Sequence, residues 1–298
     1  MWPSPFVVLR GDGCLLVAHI AVGNGVAGLV QRRAEVADCS YTATSLLGEP
    51  VHGANAAGLV CAVLDHPGHP LVTGLLGGCD GVGEAVAMLG TLAPGPSRPV
   101  ALLLADHGQA VVARLRGGYA AVEAAGAIEA PGATLDTLIA AVRAAEPAPR
   151  PGATPAAGLA AVLRRDAPPG LHVALGPPSC SVFVRYWPGM ELTPEVSAAP
   201  EGAALARLAA AVAQTTSTDA ELRRGARARL DRAEAEALAE GEAAERMAAL
   251  MDEHTDDRGA AVRRLVAQSY AAGLARQALE ELAVPAPPRG GVGAESGL

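Results

Sequence analysis

The sequence contains no lysine, and all 23 of its basic residues are arginines. Alanine is used heavily throughout, which indicates a GC-rich coding bias, so the arginines by themselves do not indicate bidentate recognition of carboxylates or phosphates. The formal net charge is −8, and acidic and basic residues are mixed along the last third of the chain. Because no basic patch is present to neutralise phosphates, we expect neither nucleic acid nor an anionic membrane surface as a partner.

Long hydrophobic runs are also missing. None reaches the roughly 20 residues that a membrane-spanning helix needs. The opening segment, MWPSPFVVLRGDG, has neither the basic n-region nor the apolar h-region of a secretory signal. We therefore expect a soluble cytoplasmic protein.

The cysteines are odd in number and show no Cys-x-x-Cys spacing, which predicts neither a disulfide framework nor a zinc site. The five are Cys14, Cys39, Cys61, Cys79 and Cys180. The last four lie in apolar surroundings and are typical of small core residues. His66 and His69, next to Asp65, imitate a metal cluster, but Pro67 and Gly68 between them indicate a turn. We expect no metal and no other cofactor.

What is present is enough apolar chain for a large core: 298 residues, of which 50% are hydrophobic and 18% charged. Residues 1–200 mix strand-like and helix-like segments and are predicted to form one α+β domain. Residues 201–282 have apolar residues at helical spacing and predict two or three long helices as a C-terminal extension. The Pro/Gly-rich tail, residues 283–298, is predicted to be disordered.

The predicted strands come in antiparallel clusters. Residues 6–9 and 14–20 are apolar runs separated by RGDG, whose Asp-Gly pair is a strong hairpin signal. Further strands are predicted at residues 40–46, 58–64, 100–105 and 110–115, and around His172 and Ser181. Helices are predicted at residues 81–89 and 134–145, with a short Ala/Leu helix after the Pro-rich segment EPAPRPGATPA.

Four segments occur in a characteristic order along the chain: DGCLLVA, VADCSYTAT, EPVHGANAAGLVCAV and GPPSCSVFVRYWPG. In this order they resemble segments of the secernins and the related dipeptidases of the N-terminal-nucleophile (Ntn) hydrolase superfamily. The family patterns are D-G-x-x-x-x-A/G after the opening strand, V-x-C-T-Y-I, W-G-x-x-x-G-x-N-E-x-G-V-x-I-G and a late T-P-x-x-S-V-F-x-P. The resemblance covers most of residues 1–190 and implies two antiparallel sheets layered between helices, the four-layer αββα arrangement.

Catalysis in that superfamily needs an N-terminal Cys whose own α-amine takes the thiol proton, together with an oxyanion hole and an orienting Asp. In this register Asn55 matches the family's Asn, which implies an oxyanion donor. The nucleophile position falls at Met1-Trp2, where no thiol or hydroxyl stands. The family's Asn and Asp fall on Ile20 and Val22, its neighbouring Arg falls on Gly23, and its second Asn falls on Glu129, an acceptor at neutral pH.

The resemblance therefore favours a pseudoenzyme that holds a small amide or peptide in a vestigial cleft near Trp2, Val22, Asn55 and Glu129, or that partners an active homologue. Asn55 also has a purely structural interpretation as a turn residue, since Asn and Gly are common where the backbone adopts left-handed conformations. A second hypothesis is a cysteine-dependent amide hydrolase or acyltransferase, activated by cleavage between Gly13 and Cys14. A third is a structural protein assembled into a homo-oligomer by its C-terminal helices.

Two further features have ordinary structural interpretations. The charges of the C-terminal region are typical of a solvated helix face with i,i+4 pairs, although a partner surface is the alternative. They include Arg232, Glu234, Glu236, Glu240 and Arg246. In SVFVRYW the aromatic residues, including Trp187, favour a core or interface role over stacking on a ligand.

Overall fold

The computed structural model describes residues 4–23, 25, 27–32, 39–65, 68–92, 98–117, 119–148, 154–194, 196–197, 203–217, 219–253 and 257–283. Within these ranges the protein is a mixed α+β structure with two sheets and six helices, which confirms the predicted α+β class. None of the helices in this part of the chain is long and apolar enough to cross a membrane. Met1, Trp2 and the predicted disordered tail lie outside the described residues.

The first sheet contains the N-terminal hairpin. In spatial order its strands are β10 (Ile128–Glu129), β1 (Phe6–Gly11), β2 (Cys14–Gly23), β11 (Thr154–Arg164), β12 (Ala167–Leu175) and β13 (Val184–Tyr186). All neighbours are antiparallel except β1 and β10. The Asp12-Gly13 turn joins Gly11 to Cys14, and Gly13 has φ +72°, a conformation that glycine adopts without strain. The predicted hairpin is confirmed.

The second sheet is an antiparallel meander in chain order. Its strands are β3 (Ala27–Arg32), β4 (Tyr41–Leu46), β5 (Glu49–Asn55), β6 (Val60–Val63), β7 (Val100–Ala105), β8 (Ala110–Arg116) and β9 (Tyr119–Ala124). Four of these, β4, β6, β7 and β8, coincide with predicted strands to within two residues at each end. Strands β3 and β5 were not predicted from the sequence.

Each sheet packs one face on the other sheet and the opposite face on helices. The helices are α1 (Leu71–Gly78), α2 (Val82–Thr91), α3 (Leu135–Ala144), α4 (Ala204–Thr216), α5 (Ala220–Glu253) and α6 (Asp257–Ala283). Alternation along β7 shows the arrangement: Leu103 belongs to the central core between the sheets, and its neighbour Leu104 belongs to the cluster under α1 and α2. On the other side, α3 covers the outer face of β2 and β11 through Leu138.

The three C-terminal helices confirm the prediction of two or three long helices after residue 200. They pack onto the first sheet: α5 and α6 run along each other and both contact β13. Trp187, just after β13, is buried in a small cluster with Ala244 of α5 and Ala267 of α6. The extension therefore covers the edge of the first sheet with apolar contacts.

Two local predictions were wrong. The Ala/Leu segment after EPAPRPGATPA, predicted to be a short helix, is part of strand β11, which pairs with both β2 and β12. Its alanines favour a helix locally, but the strand is buried on both faces, and tertiary packing outweighs that preference. The strand predicted around Ser181 is a 3-10 turn, Pro178–Cys180, followed by β13.

Candidate functional site

Asn55, the strongest candidate from the sequence, lies at the end of β5 with its side chain fully buried. Its Nδ2 donates to the carbonyl oxygens of Leu76 (3.0 Å) and Cys79 (2.7 Å), and its Oδ1 accepts from Leu59 N (2.9 Å). Both amide hydrogens are thus used to hold the end of α1 against the second sheet. A ligand oxygen reaches this amide only if those bonds open.

Cys14, the alternative nucleophile, lies at the start of β2 and is half-buried. It is opposite Gly11 on one side and Arg164 on the other, and it lines a cavity of about 540 Å³ on the helix-facing side of the first sheet. Strand β1, which precedes the Gly13-Cys14 bond, lies inside the sheet between β10 and β2. Cleavage at that bond would leave β1 attached by ladder hydrogen bonds and packing alone.

The remaining predicted residues are spread over the molecule. Val22 is half-buried on the same helix-facing side of β2 as Cys14, eight positions along the strand. Glu129 is exposed on edge strand β10 and makes an ion pair with Arg10 (3.5 Å). Because Asn55 lies under α1 in the second sheet, these residues do not surround a common cleft. Trp2 lies outside the described residues.

The other cysteines are held as thiols. Cys39 Sγ donates to Asp80 Oδ1 (2.9 Å), and burial, together with this acidic neighbour, raises the pKa of Cys39 to about 12. Burial likewise raises the pKa values of Cys61, Cys79 and Cys180. None of these four is a thiolate nucleophile at neutral pH.

The histidine and aspartate near the predicted turn have structural roles. His69 Nδ1 accepts from Leu71 N (3.2 Å) at the start of α1, and Asp65 Oδ1 accepts from Ala101 N (2.9 Å). His66 lies outside the described residues. Within the ranges that the structure covers, no group of three or more His, Cys, Asp or Glu side chains is placed to hold a metal ion.

Between the sheets, the structure places a pair of histidines that the sequence analysis did not single out. His19 of β2 and His52 of β5 meet across the central core with their Nδ1 atoms 2.8 Å apart. The two rings pack edge to face with centroids 5.1 Å apart. At most 1% of either residue is exposed. This is a direct polar contact between the two sheets.

Burial keeps both imidazoles neutral. It lowers the pKa of His19 to about 3, against a small opposing effect of the Val63 backbone, and it lowers the pKa of His52 well below its usual value, with His19 adding to the effect. In a neutral pair one Nδ1 donates and the other accepts. Consequently one Nε2 is a bare acceptor and the other a donor, and neither has a hydrogen-bond partner among the described residues.

Hydroxyl groups lie around the pair. Thr44 is directly opposite His52 on β4, and the Oγ1 atoms of Thr44 and Thr42 are buried without a hydrogen-bond partner in the described part of the chain. Ser4, which precedes β1, is also buried, and its backbone N–H donates to the carbonyl oxygen of Leu64, just after β6 (2.6 Å). No hydrogen bond joins Ser4 to either histidine within the described residues.

A surface cleft lies at one end of the sandwich, beside the turn that follows Asn55. It has a volume of about 420 Å³ and is formed by three hairpin turns, two from the second sheet and one from the first. Its lining comprises Ala56, Ala57, Gly58, His107 and the segment from Leu163 to Pro169. We call it the end cleft. Arg165 and Asp166, of opposite charge, point from the β11–β12 turn into its wall, and neither forms an ion pair with a described residue.

A single sequence signal pointed to the histidine pair. Each histidine has apolar or glycine neighbours on both sides within its strand, in VAHIA and PVHGA. Their pairing depends on the packing of two sheets, which strand patterns do not predict. No family model matches this chain, and no curated protein matches it.

Proposed function

We propose that this chain is a non-catalytic binding protein on a secernin-like, Ntn-hydrolase-like scaffold, and that its ligand is a small amide or peptide. The scaffold is supported by the layer order, with two antiparallel sheets face to face and helices on both outer sides. It is also supported by the position of the N-terminal hairpin inside one sheet. These features agree with the αββα arrangement that the sequence segments imply.

The observation that carries the non-catalytic assignment is the position of Asn55, the residue matched to the family's oxyanion donor, because both of its amide hydrogens go to the backbone carbonyl oxygens of Leu76 and Cys79. The His19–His52 pair between the sheets does not supply an alternative base. A general base works best when its pKa lies near the working pH, and a pKa of about 3 makes His19 a poor proton acceptor. Its Nδ1 is already bonded to His52, and among the described residues no hydroxyl or thiol is hydrogen-bonded to either ring. The pair supplies contact between the sheets rather than activation of a nucleophile.

The ligand class is supported by the end cleft. A short peptide carries an ammonium group, a carboxylate and an amide, and the cleft offers a carboxylate at Asp166, guanidinium groups at Arg164 and Arg165, and an imidazole at His107. Asn55 supports this site indirectly, because its Oδ1 fixes the Ala56–Ala57–Gly58 turn through Leu59 N. Asn55 thus positions a wall of the cleft instead of touching the ligand.

The test is binding of alanyl-alanine measured by isothermal titration calorimetry. Arg165→Gln and Asp166→Asn are each expected to weaken binding about tenfold, the effect of removing one charge-assisted hydrogen bond. Arg116→Gln, an exposed arginine at the end of β8, is the control and is expected to bind normally. Saturable binding that is equal in all four proteins would contradict the end cleft as the site, and absence of binding would contradict the ligand class.

A second candidate function, a cysteine-dependent amide hydrolase or acyltransferase, is favoured by one observation: half-buried Cys14 faces a cavity large enough for a substrate. In its processed form the protein would begin at Cys14. The N-terminal sequence of the purified protein separates the two candidates, since a chain that retains residues 1–13 lacks the α-amine at Cys14 that this chemistry needs. An active homologue or a second copy of the chain as partner stays a prediction.

A further inference from the structure

The cavity beside Cys14 has the features of a binding site distinct from the end cleft. It lies between the helix-facing side of the first sheet, the start of α3 and the middle of α5, and its volume is about 540 Å³. We call it the α5 cavity. Its floor is apolar and comes from three elements: Leu16 and Val162 of the sheet, Leu135 of α3 and Leu238 of α5. An apolar body of a small molecule fits such a floor.

The polar side of the α5 cavity is centred on Arg185 of β13. Its guanidinium is fixed by Glu245 (3.3 Å) and by stacking on Trp187, with 5.1 Å to the ring centroid. Helix α5 passes directly over it at Gly241, where an added Cβ would lie 3.2 Å from Arg185 Cδ. The guanidinium is therefore rigid and largely buried, and its Nε has no hydrogen-bond partner among the described residues.

Next to Arg185 lies a second nitrogen atom, on His172, that has no hydrogen-bond partner in the described part of the chain. His172 of β12 is directly opposite Arg185 in the ladder, is 4% exposed, and lines the same cavity. Its Nδ1 is buried without a hydrogen-bond partner in the described structure. Burial lowers the pKa of His172 to about 3, and the positive charge of the nearby Arg185 guanidinium adds to this effect, so the ring is neutral. At the base of one cavity, two buried nitrogen atoms, Arg185 Nε and His172 Nδ1, thus have no hydrogen-bond partner among the described residues.

The charges around the α5 cavity leave a positive excess. Glu245 is shared by Arg185, by Arg264 (3.0 Å) and by Trp187 Nε1 (2.6 Å), and Glu242 pairs with Arg246 (3.7 Å). Arg164, on the rim, forms no ion pair with a described residue. Burial lowers the pKa of Arg185, Glu245 and Glu242 oppose this, and the positive charges of Arg264 and Arg164 lower it further. The cavity is lined by three arginines, Arg164, Arg185 and Arg246, and by two carboxylates, Glu242 and Glu245, so one positive charge is left over.

We propose that the α5 cavity binds a small monoanion with an apolar body, of the class of medium-chain carboxylates. The carboxylate lies between Arg164 and Arg185, where it separates two like charges and accepts charge-assisted hydrogen bonds. The apolar body lies on the floor formed by Leu16, Val162 and Leu238. This inference does not depend on the peptide ligand of the end cleft, and it holds whether or not the scaffold is catalytic.

The test compares decanoate with decan-1-ol, which has the same chain without the charge. Binding is read as protection of the Cys14 thiol against alkylation, in a Cys39→Ser background so that Cys14 is the half-buried cysteine that reacts. We expect decanoate to protect at concentrations about tenfold lower than decanol or less. Equal protection by acid and alcohol would overturn the anion site, and no protection by either would overturn the cavity as a ligand site.

Three variants sharpen the result. Arg164→Gln, an exposed residue whose change leaves the fold intact, is expected to weaken protection by decanoate about tenfold and to leave decanol unaffected. Arg185→Met is likewise expected to weaken protection by decanoate and to leave protection by decanol unaffected. Arg116→Gln is the matched control, because Arg116 is exposed on β8 and lines neither cavity. Decanoate protection that survives Arg164→Gln unchanged, or that falls equally in Arg116→Gln, would contradict the proposed carboxylate position.

Discussion

At the scale of single residues, the buried histidines place the main chemical constraint on this protein. His19, His52 and His172 all lie in strands, all are buried, and burial lowers the pKa of each. An ordinary histidine titrates near pH 6.5, so these three bind protons in the unfolded chain at pH values where the folded chain does not. The stability of the fold is thereby coupled to pH.

We expect the contribution of these histidines to the free energy of unfolding to be complete above about pH 6.5 and to be lost as the pH drops from there toward 3. Within that window each of the three histidines contributes a slope of about 1.4 kcal/mol per pH unit. Urea unfolding at a series of pH values measures the slope. In the double variant His19→Leu/His52→Leu, the slope of the free energy of unfolding between pH 6 and 4 should correspond to about two fewer protons taken up on unfolding. An unchanged slope would show that the pair is protonated in the folded state.

Asn55 gives a second test at this scale. Asn55→Ala leaves two buried carbonyl oxygens, of Leu76 and Cys79, and the N–H of Leu59 without partners, so we expect a loss of about 3 kcal/mol in the free energy of unfolding. Gln109→Ala, an exposed amide in the β7–β8 turn, is the control and should change stability by less than about 0.5 kcal/mol. If Asn55→Ala kept full stability but lost peptide binding, the side chain would be a ligand contact instead.

At the scale of elements, Glu234 joins three separate parts of the chain. This residue of α5 is 6% exposed, accepts from Arg143 Nη2 of α3 (2.6 Å), and accepts from Phe183 N before β13 (2.8 Å). Arg143 also stacks over the Phe183 ring at 5.6 Å from its centroid. The C-terminal extension is thus attached to the first sheet by a buried charged contact as well as by apolar packing.

Removing this buried contact should lower the free energy of unfolding far more than removing an ion pair on the surface. Glu234→Ala leaves the Phe183 N–H without its acceptor and leaves Arg143 with only the carbonyl oxygen of Pro178 (3.1 Å) and the more distant carboxylate of Asp231 (3.7 Å). We expect a loss of about 3 kcal/mol in the free energy of unfolding, measured by thermal or urea unfolding. Glu280→Ala removes an i,i+4 pair with Arg276 on α6 and should cost about 0.5 kcal/mol or less. Similar small losses in both variants would mean that α5 is held by apolar contacts alone.

The individual helices and strands differ in how well the sequence predicts them. The Asp12-Gly13 turn predicts the first hairpin because its signal is local, and the helical spacing after residue 200 predicts α4, α5 and α6 for the same reason. Strand β11 was mistaken for a helix because its alanines report a local preference that pairing on both sides overrides. The His19–His52 contact joins residues 33 positions apart in different sheets, and no local pattern encodes it.

At the scale of the whole molecule, the two cavities share three lining residues, Arg164, Ala167 and Pro168, of which only Arg164 is charged. Arg165 lines the end cleft alone, and Arg185 lines the α5 cavity alone. Arg164→Gln is therefore expected to weaken both ligands, Arg165→Gln the peptide only, and Arg185→Met the carboxylate only. Any other pattern would assign at least one ligand to the wrong cavity.

The function proposed above is that of a hydrolase-like scaffold that binds without reacting. Neutral buried histidines lie between the sheets, Asn55 holds α1, and four of the five cysteines are held as thiols. The two proposed binding surfaces lie elsewhere, at the end of the sandwich and beside α5. Each of these placements follows from burial and hydrogen bonding of named residues.

The most direct measurement is the fate of a peptide that the protein binds. The purified full chain is incubated with alanyl-alanine and with N-acetyl-alanine amide at concentrations that saturate binding, and free alanine, acetate and ammonia are quantified over hours against a protein-free blank. The account predicts recovery of both compounds intact, at the same rate of loss as in the blank and in Cys14→Ala. Release of alanine or ammonia by the unmodified chain that is abolished in Cys14→Ala would contradict it and establish a cysteine-dependent hydrolase.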